Sequence, residues 1–366
     1  MNKTGFGFMR LPRTADDAID FDALNRIVDR FFELGGDYFD TAYTYLEGES
    51  EKALRKTVVE RYPRDSFRLA DKLPGYKVTA HEQCRAFFDE QLERCGVAYF
   101  DVYLLHFLNA KNFAIAEKYD EFGFLREIKA SGEARKIGFS FHGTPELLDT
   151  ILTAHPEVEV VLLQINYLDW NSASIRAREQ YETAVRHGKE VLVMEPVRGG
   201  QLATVPAEAE VILRALRSEH SVPSWAIRFA TDLEHASVVL SGMNTMEQIE
   251  DNLRDFEPLS DTEREALNTC ATVIRAETAV SCTACGYCVP HCPNNIPIPS
   301  FFAFYNEAKR EPADAWKVRY AYDEQVKTSS PASACVVCRV CEKHCPQKLK
   351  IADTLKDVAA TFEKKE

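Results

Sequence analysis

The chain has 366 residues, of which 45% are apolar, and its formal net charge is -13. This length suits two domains and leaves enough apolar residues for a sizeable core. The lack of a basic stripe with interleaved aromatics excludes a nucleic-acid surface, and no apolar run approaches the roughly 18 residues that span a bilayer.

Eight short apolar runs follow one another along the first part of the chain, with amphipathic stretches between them. The stretch Phe21–Leu34 has apolar residues at the i, i+3, i+4 and i+7 positions of a helix. Eight strand–helix repeats predict an α/β fold, a closed (β/α)8 TIM barrel of parallel strands. A doubly wound open sheet is the alternative, although no Gly-x-Gly-x-x-Gly turn follows the first run. The predicted strands are Gly5–Met9, Tyr38–Ala42, Phe67–Leu73, Tyr99–His106, Ala134–Ser140, Val160–Tyr167, Glu190–Pro196 and Ala236–Gly242.

Several helices are predicted outside the strands. Ser260 and Glu263 have the spacing of a capping box, which predicts a helix that runs to about Arg275. The remaining predicted helices are Ala80–Arg94, Ser174–His187, Ala207–Arg217, Ser224–Thr231, Met246–Arg254, Pro299–Asn306, Ala313–Val326 and Asp353–Phe362.

Eight of the 11 cysteines form two runs near the C-terminus, each with the spacing C-x2-C-x2-C-x3-C-P. Such short gaps let successive thiolates converge on an iron–sulfur cluster, and the fourth cysteine of each run usually ligates the other cluster. Two zinc sites are the alternative, but zinc usually needs only four ligands from two C-x2-C knuckles. The first predicted [4Fe-4S] site comprises Cys282, Cys285, Cys288 and Cys345, and the second comprises Cys292, Cys335, Cys338 and Cys341.

The segment from about Val280 to Ile351 resembles a bacterial-type dicluster ferredoxin domain. We therefore expect residues 1–259 to form the barrel, 260–277 a bridging helix, and 278–366 a small α+β ferredoxin-like iron–sulfur domain. Cys84, Cys95 and Cys270 stand singly in predicted helices and are interpreted as ordinary thiols. A chain this rich in cysteine, with no recognisable signal peptide, is expected in the reducing cytoplasm.

Polar side chains stand at the ends of three neighbouring predicted strands, where the active sites of such barrels lie. Asp40 lies near the end of the second strand, and Tyr43 and Tyr45 follow it. Lys72 ends the third strand and His106 ends the fourth. A free tyrosine keeps its proton up to about pH 10, and a neighbouring ammonium group lowers that pKa. We therefore expect a tyrosine here, Tyr43 or Tyr45, to act as an acid, Asp40 to orient Lys72, and His106 to hydrogen-bond a substrate oxygen.

At these residues the chain resembles the aldo-keto reductase superfamily, over about Gly5 to Phe256. Asp-Thr-Ala-x-x-Tyr matches the family's aspartate and acid tyrosine, Asp-Lys-Leu-Pro its lysine, and the residue after Asp-Val-Tyr-Leu-Leu its histidine. The resemblance implies an oxidoreductase that interconverts a carbonyl and an alcohol with NAD(P)(H). Tyr43 is the rival for the acid role, although in the family that position more often lines the pocket.

The resemblance also implies cofactor contacts at the ends of the later strands. Phe141 stands where the family has Asn, and Met194 or Glu195 replaces an aromatic residue that stacks on the nicotinamide, which leaves a flavin open. Gly242 and Gln248 replace basic residues that face the 2′-phosphate in NADP-binding members, which favours NADH. Ser140 and Gln164 match the contacts to the nicotinamide amide, Arg198 and Gly199 can meet a pyrophosphate, and Asp251 and Asn252 match the adenine contacts. The other expected contacts are Ser241, Gly242, Asn244 and Gln248.

Together these features predict an iron–sulfur oxidoreductase that acts on a small-molecule carbonyl or alcohol and relays electrons through its clusters. A one-electron carrier such as ferredoxin is the expected protein partner, and neither nucleic acid nor a membrane is expected. Hydride transfer moves two electrons together whereas each cluster passes one, so a flavin-linked electron-transfer oxidoreductase is an alternative. A redox-sensing or scaffold protein with structural clusters is a further alternative.

Overall fold

The computed structural model describes residues 3–310 and 315–363. The chain forms two compact units, of which the first comprises Met1–Pro196 and Ser224–Leu259. The second unit comprises Val197–Pro223 and Ser260–Glu366. The segment Val197–Pro223, which lies within the range expected for the barrel, therefore groups with the C-terminal part of the chain.

The first unit is built on eight parallel strands that close into a barrel in sequence order. This confirms the predicted (β/α)8 fold, and closure of the sheet rules out the open doubly wound alternative. Each strand lies within a few residues of its predicted position. The strands are β1 Thr4–Gly7, β2 Tyr38–Asp40, β3 Arg68–Leu73, β4 Phe100–Leu108, β5 Ala134–Phe141, β6 Val160–Gln164, β7 Glu190–Met194 and β8 Ala236–Ser241.

The barrel interior explains why these strands read as continuous apolar runs. Parallel strands covered by helices are buried on both faces, so they lack the alternation of a half-exposed sheet. Close pairing of β5 with β6 requires a glycine, because a Cβ added at Gly138 would lie 1.9 Å from the carbonyl oxygen of Val160. The interior cluster consists of Tyr38, Ala70, Val102, Leu104, Val160, Leu162, Leu192, Val238 and Leu240.

Amphipathic helices alternate with the strands of the first unit. The Asp20 side chain caps the first helix by accepting a hydrogen bond of 2.9 Å from Ala23 N, and Leu24, Ile27, Val28 and Phe31 are its buried residues. The helices are α1 Phe21–Glu33, α2 Glu49–Leu54, α3 Glu82–Cys95, α4 Ala110–Lys118, α5 Glu121–Ala130, α6 Pro145–Ala154 and α7 Ala177–Arg186. After α8 Ala207–Leu216, which belongs to the second unit, come α9 Val222–Thr231 and α10 Met246–Asn252.

The C-terminal part of the second unit starts at Ser260, where the predicted capping box forms. Ser260 Oγ accepts a hydrogen bond of 3.3 Å from Glu263 N, and Ser260 N donates one of 2.8 Å to Glu263 Oε2. These bonds start the long helix α11, Asp261–Glu277. Helix α8 packs on α11, where the Arg217 guanidinium lies 3.0 Å from Glu263, which explains why Val197–Pro223 groups with this unit.

The rest of the second unit is helical in the part that the structure describes. Its helices are α12 Ile298–Arg310, α13 Ala315–Val326, α14 Val340–Lys343 and α15 Ile351–Phe362. The predicted helix Ala313–Val326 starts two residues outside the described ranges. Within 278–310 and 315–363 no strand forms, unlike the expected α+β composition, because the cysteine loops turn too often to carry a ladder. Among helices of the described ranges, none combines the length and apolar character needed to cross a bilayer.

Aromatic packing forms the core of this unit. The rings of Phe301 and Tyr322 lie 4.6 Å apart, and Tyr322 stacks on Phe362 at 4.9 Å. The Tyr322 hydroxyl also accepts a hydrogen bond of 2.9 Å from Ala332 N. The core therefore ties α12, α13 and α15 to the residues that directly precede the second cysteine run.

Candidate active site and cysteine centres

The structure brings Asp40, Lys72, Tyr45 and His106 together at the C-terminal ends of neighbouring strands. Lys72 Nζ donates hydrogen bonds of 2.6 Å to Asp40 Oδ1 and of 2.6 Å to Thr41 O. The same ammonium lies 4.7 Å from the centroid of the Tyr45 ring. The Tyr45 ring meets the His106 imidazole edge-on, with centroids 5.8 Å apart and an interplanar angle of 81°. One compact group thus combines a cation, a phenol and an imidazole.

The protonation states of these groups follow from their burial. Burial lowers the pKa of His106 well below its usual value, and the charge of Lys72 adds to this effect, so the imidazole is neutral near pH 7. Burial raises the pKa of Tyr45 well above its usual value, and Asp40 adds to the rise. The net shift of the Tyr45 pKa is therefore upward, opposite to the expected direction, because burial of the phenol dominates.

An unusual turn carries Tyr45. The next three residues, Leu46, Glu47 and Gly48, have φ angles of 51°, 58° and 92°, all in the left-handed region. Phe107, directly after His106, has φ 64°, and Glu195, after β7, has φ 57°. Non-glycine residues rarely adopt this conformation, and such strain clusters at functional sites. The strained residues here stand at the same end of the barrel as the polar group.

Tyr43, the rival for the acid role, is engaged elsewhere. Its hydroxyl donates a hydrogen bond of 3.0 Å to Glu90 Oε2. Its ring packs edge-on against Phe87 at 5.1 Å and lies 4.3 Å from the Arg94 guanidinium. Tyr45, by contrast, faces His106 and Lys72.

Tyr76, which the sequence did not single out, also belongs to this group. Its ring centroid lies 6.0 Å from that of His106, and its hydroxyl is 3.3 Å from Thr44 Oγ1. Glu195, which the sequence offered only as a replacement for an aromatic residue, also acts on this group, since its charge contributes to the raised pKa of Tyr45. Tyr76 lies in a loop four residues beyond Lys72, where no periodic pattern marks it.

The two residues expected to contact a nicotinamide amide are both buried and held in place. Ser140 Oγ accepts a hydrogen bond of 2.7 Å from Phe107 N, which links β5 to the backbone beside His106. Gln164 Nε2 donates a hydrogen bond of 2.8 Å to Asp169 Oδ2. Asn166 Nδ2 also donates to this carboxylate, at 2.9 Å. Sequence reasoning missed Asp169, whose only signal is the Asn-x-x-Asp spacing after β6.

The expected contacts after β8 form a second hydrogen-bonded group in the first unit. Asn252 Nδ2 donates to Ser241 Oγ at 3.1 Å, and Asn244 N donates to Gln248 Oε1 at 2.7 Å. The structure adds one cation here, because a Cβ added at Gly242 would lie 3.5 Å from Cβ of Arg10.

A second cation offsets the charge of another expected contact in this region. Arg254 Nε lies 3.7 Å from Asp251 Oδ1. This part of the site is therefore less acidic than the replacement of basic residues by Gly242 and Gln248 suggests.

Arg198 and Gly199, the expected phosphate contacts after β7, belong to the second unit. Arg198 is buried and donates a hydrogen bond to Gln201. Gly199 has φ 65°, and a Cβ added there would lie 1.9 Å from the carbonyl oxygen of Thr283. Only glycine fits so close to the first cysteine run. This packing explains why residue 199 is a glycine, and no contact with a phosphate is needed to explain it.

The eight cysteines line two separate cavities. Cys345 shares the first cavity with three cysteines of the first run, and Cys292 shares the second with three cysteines of the second run. This is the crossed grouping expected of a dicluster ferredoxin. The first cavity is lined by Cys282, Cys285, Cys288 and Cys345, and the second by Cys292, Cys335, Cys338 and Cys341.

The distances between the thiols distinguish an iron–sulfur cluster site from a site for a single zinc ion. Sulfurs bound to one tetrahedral zinc at about 2.3 Å lie within about 4 Å of each other. Within residues 3–310 and 315–363, the one group of ligand atoms that lie within 4.8 Å of each other is Glu51, Asp71 and Cys95. The cysteines of the two runs are thus spread too widely for one ion, which suits a cubane cluster.

A pair of stacked histidines relates the two cysteine runs. The imidazoles of His291 and His344 are 3.5 Å apart and nearly parallel, at 14°. Each directly precedes the fourth cysteine of its run, so the stack joins the two residues at which the ligand sets cross.

The three remaining cysteines have no part in these cavities. Cys84, Cys95 and Cys270 are free and buried. Burial raises the pKa of Cys84 to about 12 and that of Cys270 to about 11. Both therefore stay protonated and behave as small apolar residues.

Comparison with known proteins places this arrangement in a family. The Aldo/keto reductase family model matches residues 3–272, and a 4Fe-4S dicluster domain matches residues 281–349. The chain therefore belongs to the aldo/keto reductase family and carries a C-terminal 4Fe-4S dicluster domain. It is an oxidoreductase of a family whose substrates are small carbonyls or alcohols.

Individual relatives agree with this assignment. An aldo-keto reductase from Mycobacterium avium (strain 104) is 26% identical over 229 residues, 62% of this chain and 73% of that protein. An aldo-keto reductase structure from Bacillus halodurans has a TM-score of 0.60 at 23% identity, covering 73% of this chain and 91% of that one. One from Klebsiella pneumoniae in complex with NADP and acetate has a TM-score of 0.58 at 17% identity, covering 73% and 90%. At these identities, the solved structures support the fold.

A buried acid lies behind the loop that carries Tyr76. Glu121, at the start of α5, is 2% exposed, and its Oε1 has no hydrogen-bond partner among the described residues. Its other oxygen packs on Gly75, where an added Cβ would lie 2.2 Å away. Burial raises the pKa of Glu121 from 4.5 to about 7. The folded protein thus holds a proton here that the unfolded chain releases at lower pH.

This difference predicts a pH dependence of stability. Because the folded pKa is the higher one, the folded state binds the extra proton between pH 4.5 and about 7, and stability falls as pH rises through that window. Glu121→Gln should remove this loss of stability. Above pH 8 its free energy of unfolding should exceed that of the wild type by about 3 kcal/mol, at about 1.36 kcal/mol per pKa unit.

Denaturant unfolding of both proteins at pH 5 and pH 8 measures the effect. The exposed Glu127 on the same helix is the matched control, and Glu127→Gln should follow the wild type. An identical pH slope in Glu121→Gln and wild type would refute the assignment.

Proposed function

We propose that this protein interconverts a small carbonyl compound and its alcohol, with Tyr45 as general acid, and that two [4Fe-4S] clusters relay single electrons. One observation carries the first part: Lys72, Asp40 and His106 converge on Tyr45 at the mouth of the barrel. The grouping of eight cysteines around two cavities supports the second part.

The chemistry follows from the protonation states. Tyr45 keeps its proton throughout the neutral range because its pKa is raised, so it can donate to the oxygen of a carbonyl substrate. Neutral His106 can donate a hydrogen bond to the same oxygen. As Tyr45 gives up its proton, the positive charge of Lys72, held by Asp40, stabilises the developing phenolate. A bound NAD(P)H would supply the hydride that completes reduction of the carbonyl to the alcohol.

Several residues are suited to hold that cofactor. Ser140 and Gln164 are each fixed by a hydrogen bond, as contacts to a nicotinamide amide require. Ser241, Asn252, Asn244 and Gln248 form the hydrogen-bonded group after β8 that would face the adenosine end. Gly242, with no side chain, and Asp251 remain the residues proposed to favour NADH, and Arg10 opposes them.

The donor set fits iron–sulfur clusters. Four cysteines line each cavity, and thiolates are the ligands that [4Fe-4S] clusters take. We assign Cys345 to the cluster of the first run and Cys292 to that of the second. When bound, the clusters would accept or donate one electron at a time.

The second cluster site is the more accessible one. Cys338 is exposed, and the neighbouring Val336 and Val337 are 63% and 40% exposed. Exposed apolar side chains beside a redox centre suit a transient protein partner. We therefore propose that a one-electron carrier such as ferredoxin docks beside Cys338.

A flavin-linked electron-transfer oxidoreductase is the second candidate. It is favoured by the loss of the family's aromatic stacking residue, whose place Met194 or Glu195 takes, and by Phe141 in place of an asparagine. A flavin exchanges both one and two electrons, which would join hydride chemistry to the clusters. The fluorescence of denatured, anaerobically purified protein distinguishes the two candidates, because a flavin released from the protein is fluorescent.

Tyr45→Phe tests the acid. The substitution removes the transferable proton and keeps the ring, so kcat for reduction of an aromatic aldehyde should fall by about 10²–10⁴-fold. Dissociation constants for NADH and NADPH should change little. Tyr43→Phe is the matched control, because its hydroxyl bonds Glu90, and it should retain the larger share of activity. The opposite pattern would transfer the acid role to Tyr43.

Iron analysis tests the clusters. Anaerobically purified protein should contain about eight iron and about eight sulfide per chain, four of each per cluster. Cys292→Ser and Cys345→Ser should each lose about half of the iron, with distinct electron paramagnetic resonance signals for the cluster that remains. Cys84→Ala, in the barrel, is the control and should keep the full content. Stoichiometric zinc without sulfide would overturn the assignment.

Coenzyme titration tests the β8 region. NADH should bind at least as tightly as NADPH, since Gly242 and Gln248 carry no charge. Arg10→Met should weaken the binding of NADPH more than that of NADH, because the 2′-phosphate would lose a nearby cation. Arg13→Met is the control and should leave both affinities unchanged. A strong NADPH preference that persists in Arg10→Met contradicts this account.

A further inference from the structure

Three fully buried side chains form a cluster beneath the proposed active site. Glu51 on α2, Asp71 on β3 and Cys95 on α3 are each 0% exposed. Their ligand atoms all lie within 4.8 Å of one another. Asp71 directly precedes Lys72, and Glu51 lies on the helix that begins where the Tyr45 turn ends.

Hydrogen bonds tie this cluster to the backbone of Lys72. Asp71 Oδ1 accepts a hydrogen bond of 2.7 Å from Lys72 N. On the other side, Gln91 Nε2 donates to Lys72 O at 3.1 Å. The peptide groups of Lys72 are therefore clamped by two side chains, and one of these belongs to the cluster.

The charges in the cluster do not balance if both acids are ionised. Arg94 donates to Glu51 Oε2 at 2.9 Å and also to Glu90, while the Lys72 ammonium is committed to Asp40 and Thr41. Two carboxylates this close in a dry interior cannot both lose their protons.

An unsatisfied carboxylate oxygen shows that the cluster lacks a hydrogen-bond donor. Glu51 Oε1 is buried and accepts no hydrogen bond from the described residues. A protonated Asp71 would supply the missing donor. Cys95 Sγ, 3.6 Å from Asp71 Oδ2, is a weak donor to Asp71.

The electrostatic surroundings assign the proton to Asp71. Burial raises the pKa of Asp71 well above its usual value, and the charge of Glu51 raises it further. Burial also raises the pKa of Glu51, but the hydrogen bond from Arg94 opposes this. The titratable or charged groups that interact with the pair from the packed elements are Lys72, Arg94, Cys95, Tyr103 and Tyr45. Glu90 accepts a hydrogen bond from Arg94 beside them.

We propose that Asp71 is a positioning residue, protonated and hydrogen-bonded to ionised Glu51, and that this bond holds Lys72 and the Tyr45 turn in register. The bond joins strand β3 to helix α2, and so fixes the two segments that carry the acid and its cation. The inference rests on the proposed role of Tyr45, and it adds a group that does not touch the substrate.

The conservative variants distinguish the two possible proton positions. In Asp71→Asn, the amide can still donate to Glu51 and accept from Lys72 N, so this variant should keep most of kcat. Asp71→Ala loses both bonds, and Glu51→Gln leaves Arg94 without its buried anion. These two should lower kcat by about 10-fold to 100-fold, the cost of small misplacements of reacting groups, with little change in KM for the nicotinamide cofactor.

The assay uses full-length, cluster-loaded protein with an aromatic aldehyde and NADH or NADPH. Glu33→Gln, an exposed acid on α1, is the control and should match the wild type. Wild-type kcat should also fall at alkaline pH as Asp71 loses its proton, and this limb should be absent from Asp71→Asn. A role confined to folding stability would not produce that difference between pH profiles.

A readout independent of turnover is the infrared difference spectrum between wild type and Asp71→Asn. A protonated-carboxyl band should be present in the wild type at pH 7 and absent from the variant. If the band is present but the aldehyde is not reduced by wild type, the proposed function fails and the proton assignment stands.

Three results would overturn the proposal. Full activity of Glu51→Gln together with loss in Asp71→Asn would put the proton on Glu51. Full activity in Asp71→Ala would remove the positioning role. One divalent metal ion per chain, bound in wild type and absent from Glu51→Gln, would make the cluster a metal site.

Discussion

The active end of the barrel depends on the buried ion pair between Lys72 and Asp40. Their side chains are 1% and 5% exposed, and they meet at 2.6 Å across neighbouring strands. Removing one partner of such a pair leaves an uncompensated buried charge, which typically lowers the stability of the fold by about 3–5 kcal/mol. The pair keeps the ends of β2 and β3 together and aims an ammonium group at the Tyr45 ring, so both the fold at this end and the proposed chemistry rest on it.

A second constraint is the geometry of parallel strands in a closed barrel. All eight C-terminal ends meet at one rim, so residues distant in sequence become neighbours. Left-handed backbone conformations at Leu46, Phe107 and Glu195 turn the chain sharply where these strands end. Hydrogen bonds from side chains then hold the turns, as Ser140 does by accepting from Phe107 N. Rigid strands and strained turns together position the polar group.

The second unit is held together by packed helices and aromatic rings. Its helices pack through Phe301, Tyr322 and Phe362. Within residues 278–310 and 315–363 the cysteine loops form no sheet. Helices supply the core, while thiols from both runs line each of two cavities. The cavities differ in access, because Cys338 of the second set is exposed whereas the four cysteines of the first set are buried or half-buried.

The sequence by itself determined the eight strands, the capping box at Ser260, the two cysteine runs and the proposed roles of Asp40, Tyr45, Lys72 and His106. These are local patterns of spacing, periodicity and strand-end position, which the chain carries in its own order. Only the tertiary structure decided that Tyr45 rather than Tyr43 faces His106, that the pKa of Tyr45 is raised, and that Glu51 meets Asp71. It also decided that residues 197–223 group with the C-terminal unit. Burial, charge balance and pKa depend on side chains brought from separate elements, and no spacing along the chain encodes those distances.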